Sequence, residues 1–513
     1  MISLRVVTAL LFGLLAPAVL AAPPSWHRAT SRHFIVYSAA APDQLRTMTR
    51  RLERFDEVMR YRLGLTTDDA GKPLTVFLVK DLAAVAAAMG DTGYSNVAGF
   101  YVAHDSGALA IAPLKGDSGS DFGKMFDLKS EAILFHEYTH HLTLQYYPGV
   151  YPRWYTEGLA ELYSTMEFGT GDAVTIGKPN FVRMPVLRLA QATSLNQLLN
   201  TDYSELDELQ LDTLYGKGWL LTHYLNFTPK YAGHMGDFLR ALQTGQTDRQ
   251  ALTVAFGRTP SQLDAELRAY LLAAHIPFIT VHVPETVSRD VRVEDIPPSM
   301  NAMMDDFIEF SVRPDKPQLK LVAGRVRHVA EAYPDDLFAQ RLLAESQLAI
   351  DHFPEAEHAA DRALQIAPSD PRALVAKGGA VMGALKTAKS KDELAWSKAR
   401  QWVVRANHAD PDDALPLAVY YQSFLDAGET PSPRASQALE RASELAPQDD
   451  ALRVALATDQ ARHGDYKKAI ITIRPVAAAP HFGPQVKKAI TLLRTWQNQI
   501  ALPGPTAAAG PHS

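Results

Sequence analysis

The chain has 513 residues, 47% of them hydrophobic and 21% charged, with a formal net charge of −6. That length exceeds a single core and implies about three domains, and the balanced charge offers no basic face for nucleic acid. There is no cysteine, which excludes disulfides and a lipid-attachment thiol, so any metal site must be built from histidine and carboxylates.

The first 22 residues have the pattern of a signal peptide. Arg5 supplies the positive charge, Val6 to Leu15 is an apolar run, and small residues lead to a cleavage point after Ala21 or Ala22. The run is too short for a membrane span, and no later segment approaches one. The chain is therefore expected to be periplasmic or secreted, with no stable membrane span once the leader is removed.

Residues 23–127 read as a small α+β lobe. His33 to Ser38 and Pro73 to Val79 are strand-like, separated by a helical pattern over Asp43 to Leu63, and an Ala-rich helix follows near Leu82 to Met89. Val97 to Ala103 and Gly107 to Ala112 read as a hairpin turning at His104-Asp105-Ser106-Gly107. Lys115 to Lys124 is a polar, Gly-rich loop.

Residues 128–295 read as a mainly helical lobe. A helix from about Leu128 to Tyr146 contains Phe135-His136-Glu137-Tyr138-Thr139-His140-His141. On a helix, i and i+4 lie on one face, so His136 and His140 can aim two imidazoles at one metal ion. Glu137 beside them is placed as a general base, the H-E-x-x-H pattern of metallopeptidases. A break at Tyr147-Pro148-Gly149 and Pro152 precedes a second helix, Trp154-Tyr155-Thr156-Glu157-Gly158-Leu159-Ala160-Glu161. The break lets that helix fold back across the first. It brings Glu157 forward as a third ligand and Glu161, one turn on, as an acceptor for the second nitrogen of a liganding imidazole. His141 points about 100° away from His140 and reads as a neighbour rather than a ligand. Trp154, Tyr155 and Tyr163 read as core aromatics. The pattern stays helical from Met184 to Ala274, with breaks at Thr201-Asp202, Pro229, Gly245 and Pro260, and Ile276 to Arg292 turns strand-like.

From about residue 300 to 500 a punctuation recurs: Pro334-Asp335-Asp336, Pro368-Ser369-Asp370, Pro411-Asp412-Asp413 and Pro447-Gln448-Asp449, then Pro480. Amphipathic helix pairs lie between these marks, with an insertion expected around Lys386 to Asp392. A period near 34 residues with Ala-rich pairs resembles tetratricopeptide (TPR) repeats. Residues 501–513 have too little apolar mass to pack and are expected to be a disordered tail.

H-E-x-x-H followed by W-x-x-E-G-x-A-E resembles the gluzincin zinc metallopeptidases, the peptidase-MA-like group that holds thermolysin and the zinc aminopeptidases. The likeness covers about residues 130–225. It implies one Zn²⁺ per chain held by His136, His140 and Glu157, with Glu137 as the base. Leu214-Tyr215-Gly216-Lys217-Gly218 is similar to the Y-x-K-G segment of the aminopeptidase branch. That similarity assigns Tyr215 a hydrogen bond to the tetrahedral intermediate, while Lys217 read alone is a surface lysine. His223, eight residues on, shares the Tyr215 face, and the sequence leaves it either a packing or a substrate-pocket role. Gly107 to Ala112 lies where that branch carries an acid for a free amine, but holds none, which points to an endopeptidase or a specialised substrate. This strand is a candidate for pairing with an extended peptide by edge addition.

The expected architecture is thus α+β: a small mixed lobe, a helical zincin lobe and an all-α TPR-like domain. The expected activity is exported, zinc-dependent hydrolysis of a peptide or protein substrate, with a possible protein partner on the repeats. The alternative is an inactive peptidase-like protein that binds proteins in the periplasm through its repeats.

Overall fold

The computed structural model describes residues 25–65, 71–89, 98–114, 130–189, 194–199, 208–273, 275–285, 290–479 and 483–501. The leader, the loop over 115–124, the break at Thr201-Asp202 and the tail beyond residue 501 lie outside the described residues. The architecture is mainly helical with a small mixed N-terminal sheet and TPR-like helix pairs, consistent with α+β.

The first lobe runs β1 (His27–Thr30), β2 (Phe34–Ser38), α1 (Pro42–Leu63), β3 (Leu74–Val79), α2 (Leu82–Ala88), β4 (Phe100–His104) and β5 (Gly107–Pro113). β2, β3 and β5 are parallel, and β4 pairs antiparallel with β5, Phe100 opposite Ile111. Leu-Thr-Val-Phe-Leu-Val in β3 is apolar almost throughout because both of its faces are covered. Phe34 and Val36 face a core shared with Phe55 of α1 and with Phe135 and Tyr138 of α3 (Ser130–Tyr146). Tyr37 and Phe77 face a second core on the other side.

The helical lobe contains α4 (Arg153–Ser164), a small sheet of β6 (Glu167–Phe168) and β7 (Ala173–Ile176), then α5 (Met184–Leu189), α6 (Leu195–Leu198) and α7 (Glu208–Phe227). A 3₁₀ turn (Pro229–Tyr231), α8 (His234–Gln243), α9 (Asp248–Phe256) and α10 (Pro260–Leu271) complete it. Its core gathers Trp154, Trp219, Phe238 and Leu263. The strand-like stretch after Ile276 divides between two sheets. β8 (Ile279–His282) pairs with β7, while β9 (Arg292–Asp295) returns to pair with β1, giving the six-stranded order β4-β5-β3-β2-β1-β9. The first lobe is therefore closed by residues that follow the helical lobe in sequence.

The repeats begin with α11 (Pro298–Ala302) and α12 (Met304–Ser311), whose Met300, Met304 and Ile308 cover the second face of the sheet. α13 (Lys316–Ala330), α14 (Leu337–Ala349), α15 (Phe353–Ile366), α16 (Pro371–Thr387), α17 (Glu393–Ala409) and α18 (Ala414–Ala427) follow. α19 (Pro433–Leu445), α20 (Asp450–Arg462), α21 (Tyr466–Ala477) and α22 (Pro484–Ala501) end the solenoid. The recurring aspartate has a physical meaning. Asp336, Asp370, Asp413 and Asp449 are the N-caps of α14, α16, α18 and α20, each accepting backbone N–H bonds at 2.7–3.0 Å. Most of the longer interval comes from helix length, α16 and α17 having 17 residues each against 13 in α14 and 14 in α15, and the rest from the longer connector over 388–392.

The solenoid bends back onto the first two lobes. Lys72 lies 3.4 Å from Asp410 and 3.3 Å from Asp413, Arg313 pairs with Asp105 in the β4–β5 turn, and Arg474 donates to the carbonyls of Leu242 and Gln243. The last contact places a guanidinium at the C-terminus of α8, where the carbonyls carry partial negative charge. Among the described residues no helix is long and apolar enough to cross a membrane.

Candidate metal centre

α3 presents His136 and His140 on one face, one turn apart. Its other face is anchored: Phe135 stacks on Phe55 with centroids 4.0 Å apart, and the Tyr138 hydroxyl donates to Asp56 at 2.7 Å. Asp56 also accepts from Arg60 at 2.8 Å and lies 3.2 Å from His33, which bonds Glu53 at 2.7 Å. His33, Glu53 and Asp56 resemble a ligand cluster in composition. Arg60 pairs with Asp56 and the imidazole bonds Glu53, so they form a buried hydrogen-bonded network that grips α3.

α4 folds back across α3 and brings in Glu157. What lets it approach is a crossing with α7 made of glycines. A Cβ on Gly158 would stand 2.2 Å from the Gly218 carbonyl oxygen, and one on Gly218 would stand 2.5 Å from the Trp154 carbonyl oxygen. The Gly of E-G and the last Gly of Y-x-K-G are therefore the two halves of one backbone contact. That contact carries Glu157 and Tyr215 to the same place.

His136 Nε2 and His140 Nε2 are 3.2 Å apart, and each is 3.4 Å from Glu157 Oε2. A tetrahedral ion with ligands at about 2.0–2.1 Å separates its donors by roughly 3.3–3.4 Å. The triangle of donors thus already has the edge length that zinc requires, and the residues fit the ion. The side chains of His140 and Glu157 are 3% and 1% exposed and that of His136 is 14%, so the triangle opens to solvent on the His136 side.

Charge points the same way. Burial by itself lowers the His136 pKa, but the contact with Glu157 and the charges of Glu161 and Glu137 outweigh it and hold it up at about 9. Glu137, Glu157 and Glu161 bring three carboxylates to the site against one guanidinium, Arg183. A divalent cation at the triangle would balance the remaining charge and take the place of protons on the imidazoles. Burial raises the pKa of Glu137. The Tyr215 ring lies 6.2 Å from that of His136, and the charge of Glu157 together with burial keeps its hydroxyl protonated.

Glu161 is drawn close but not into a hydrogen bond: its Oε1 is 3.7 Å from His136 Nδ1. It is held there by Arg183, at 3.0 and 2.7 Å, and by Asn180 at 2.7 Å. Arg183 also covers the Tyr215 ring at 4.8 Å and bonds Asp212 at 3.0 Å. Arg183 and Asn180 had no signal in the sequence, because they act from an irregular turn before α5 and share no spacing with the helical motifs.

Lys217 and the β5 edge differ from their sequence readings, whereas His223 takes the packing role and His141 stays a neighbour of the ligands. Lys217 is not a surface lysine; it donates to buried Asp264 at 2.9 Å, tying α7 to α10. His223 faces away from the centre, fully buried, with Nε2 2.8 Å from the Gly177 carbonyl and Nδ1 2.9 Å from the Tyr270 hydroxyl. Burial lowers its pKa to about 4, so it is a neutral packing residue. His141 is buried, 3.1 Å from the Tyr101 hydroxyl, and burial lowers its pKa to about 3. β5 cannot add a peptide strand, because β4 and β3 occupy both of its edges. Among the described residues the open edge next to α3 belongs to β4.

No family model matches the chain, and no curated protein matches it. Among solved structures it is similar to TTC0263, a thermophilic TPR protein from Thermus thermophilus. That likeness has 16% identity and a TM-score of 0.33, over 40% of this chain and all of that one. It is also similar to yeast Tom70, with 13% identity and a TM-score of 0.27, over 63% of this chain and 73% of that one. Likenesses this loose say nothing about activity, and the TPR-like description rests on the capped helix pairs.

Proposed function

We propose that the chain is an exported zinc peptidase. The observation that carries this reading is the His136, His140, Glu157 triangle, whose edges of 3.2, 3.4 and 3.4 Å match a tetrahedral zinc site. His136, His140 and Glu157 would hold the zinc, which when bound would supply a Lewis acid for the carbonyl and lower the pKa of water toward neutrality. Glu137, next to His136 on α3, takes a proton from the attacking water and returns it to the leaving amine. Burial raises its pKa, which makes it the stronger base. Tyr215, kept neutral, donates to the oxyanion that forms on the substrate carbonyl. Glu161, fixed by Arg183, places a carboxylate 3.7 Å from His136 Nδ1, where it acts on the ring through its charge rather than a hydrogen bond.

The test is Glu137→Gln in the full chain. Loss of a general base lowers peptide hydrolysis by about 10²–10⁴-fold, while bound zinc stays at roughly one per chain. Hydrolysis at the wild-type rate in that variant would assign the base elsewhere. A second reading, an inactive module that binds proteins, is favoured by the repeats that make up the C-terminal part of the chain. Metal analysis separates the two. Protein purified without chelator and lacking zinc belongs to the second.

A further inference from the structure

Two elements of the metal centre lead out of it to one cavity. α3 carries His140 and then Gln145 and Tyr146, five and six residues on. β4 carries Tyr101, bonded to His141, and then His104. Gln145, Tyr146 and His104 all line a cavity of about 1210 Å³ between the sheet and the inner face of the solenoid. At the rise per residue of a helix or a strand, these wall residues stand roughly 8–10 Å along their elements from His140 and Tyr101.

The lining says what the cavity takes. Its floor includes Ile35, Phe77 and Leu109 of the sheet, and its roof Leu348, Val375 and Leu415 of α14, α16 and α18. The charged groups around it are already matched. Arg372 bonds Glu345 at 2.8 and 3.0 Å, Lys72 lies beside Asp410 and Asp413, and Arg313 pairs with Asp105. A small charged ligand would have to break those pairs. An apolar one would only displace water. The volume also exceeds the ~300–1,000 Å³ of a small-molecule site. What remains is an apolar stretch of a longer chain. Among the described residues β4 is the edge strand of the sheet, and an extended peptide added to that edge would run from the candidate metal centre toward His104.

We propose that this cavity receives the apolar, extended polypeptide stretch that flanks the substrate bond placed at the metal centre. The proposal rests on the peptidase reading and adds a substrate class to it: unfolded polypeptide with apolar residues to one side of the cut. The solenoid then forms one wall of the substrate channel.

The chain has no cysteine, so a single introduced thiol can be followed. Ala349→Cys places one in the roof and Ser106→Cys one in the β4–β5 turn, each in the Glu137→Gln full chain. β-casein serves as the unfolded polypeptide. Maleimide labelling of either thiol is expected to slow at least about fivefold at saturating β-casein, while Leu394→Cys, on an exposed face of α17, labels at an unchanged rate. Equal labelling at all three positions, with or without β-casein, overturns the proposal. If one cavity variant fails to fold, the other decides. Cleavage of β-casein by the wild-type chain is scored separately: cleavage without protection removes the cavity proposal alone, and protection without cleavage removes the peptidase reading alone.

Discussion

Gly158→Ala probes the contact on which the candidate metal centre depends. The added methyl would meet the Gly218 carbonyl oxygen at 2.2 Å and Thr222 Oγ1 at 2.4 Å. Backbone cannot swing aside as a side-chain end can, so α4 and α7 must separate by roughly 1 Å to restore van der Waals contact. Overpacking of this kind costs about 1–3 kcal/mol, which in a lobe of this size lowers Tm by about 2–4 °C per kcal/mol. The functional effect is larger. Glu157 adjoins the substituted residue, and its Oε2 is 3.4 Å from both imidazoles. Misplacing it opens the triangle of donors, and errors in ligand orientation weaken metal binding on the order of 10–100-fold. Competitive zinc titration against a fluorescent chelator measures this, with calorimetry for Tm. Gly216→Ala is the control: its Cβ would meet only Leu187 and Val186 side-chain atoms at 3.2 Å, which can yield by a few tenths of an ångström. Wild-type zinc affinity and Tm in Gly158→Ala would refute the claim that the glycine crossing places Glu157.

Tyr215→Phe is expected to lower kcat by about 10²–10³-fold, as loss of an oxyanion donor does, with KM and zinc content unchanged in steady-state kinetics and metal analysis. Stability should fall with acid partly through Glu266. Burial pushes its carboxyl up, but hydrogen bonds from Tyr231, Arg258, Tyr224 and Lys230 bring it down to about 2. Its folded pKa lies below its unfolded one, so its contribution is complete above about pH 4.5 and lost as pH falls toward 2. The Tm difference between wild type and Glu266→Gln should therefore shrink across that window. A difference that stays constant from about pH 5 to about pH 3 would show that the carboxylate's charge contributes nothing there.

The sequence by itself determined what is local. Helical periodicity alone put His136, Glu137 and His140 on one turn, and the same rule paired Glu157 with Glu161. The Pro-x-Asp marks encoded the solenoid because an N-cap is a contact between neighbours in sequence: Asp370 caps the residue three places on. Tertiary structure alone decided what depends on distant backbone meeting. Gly158 and Gly218 read as punctuation until their helices cross within a methyl's width. Arg183 and Asn180 carry no pattern, yet they fix Glu161 from an irregular turn. β9 looked like the end of the helical lobe and instead closes the first sheet, since strand pairing ignores chain order. The solenoid's contacts through Lys72, Arg313 and Arg474, and the cavity they enclose, join residues hundreds of positions apart. No periodicity in a single chain reports such separations, because they are set by how whole layers pack.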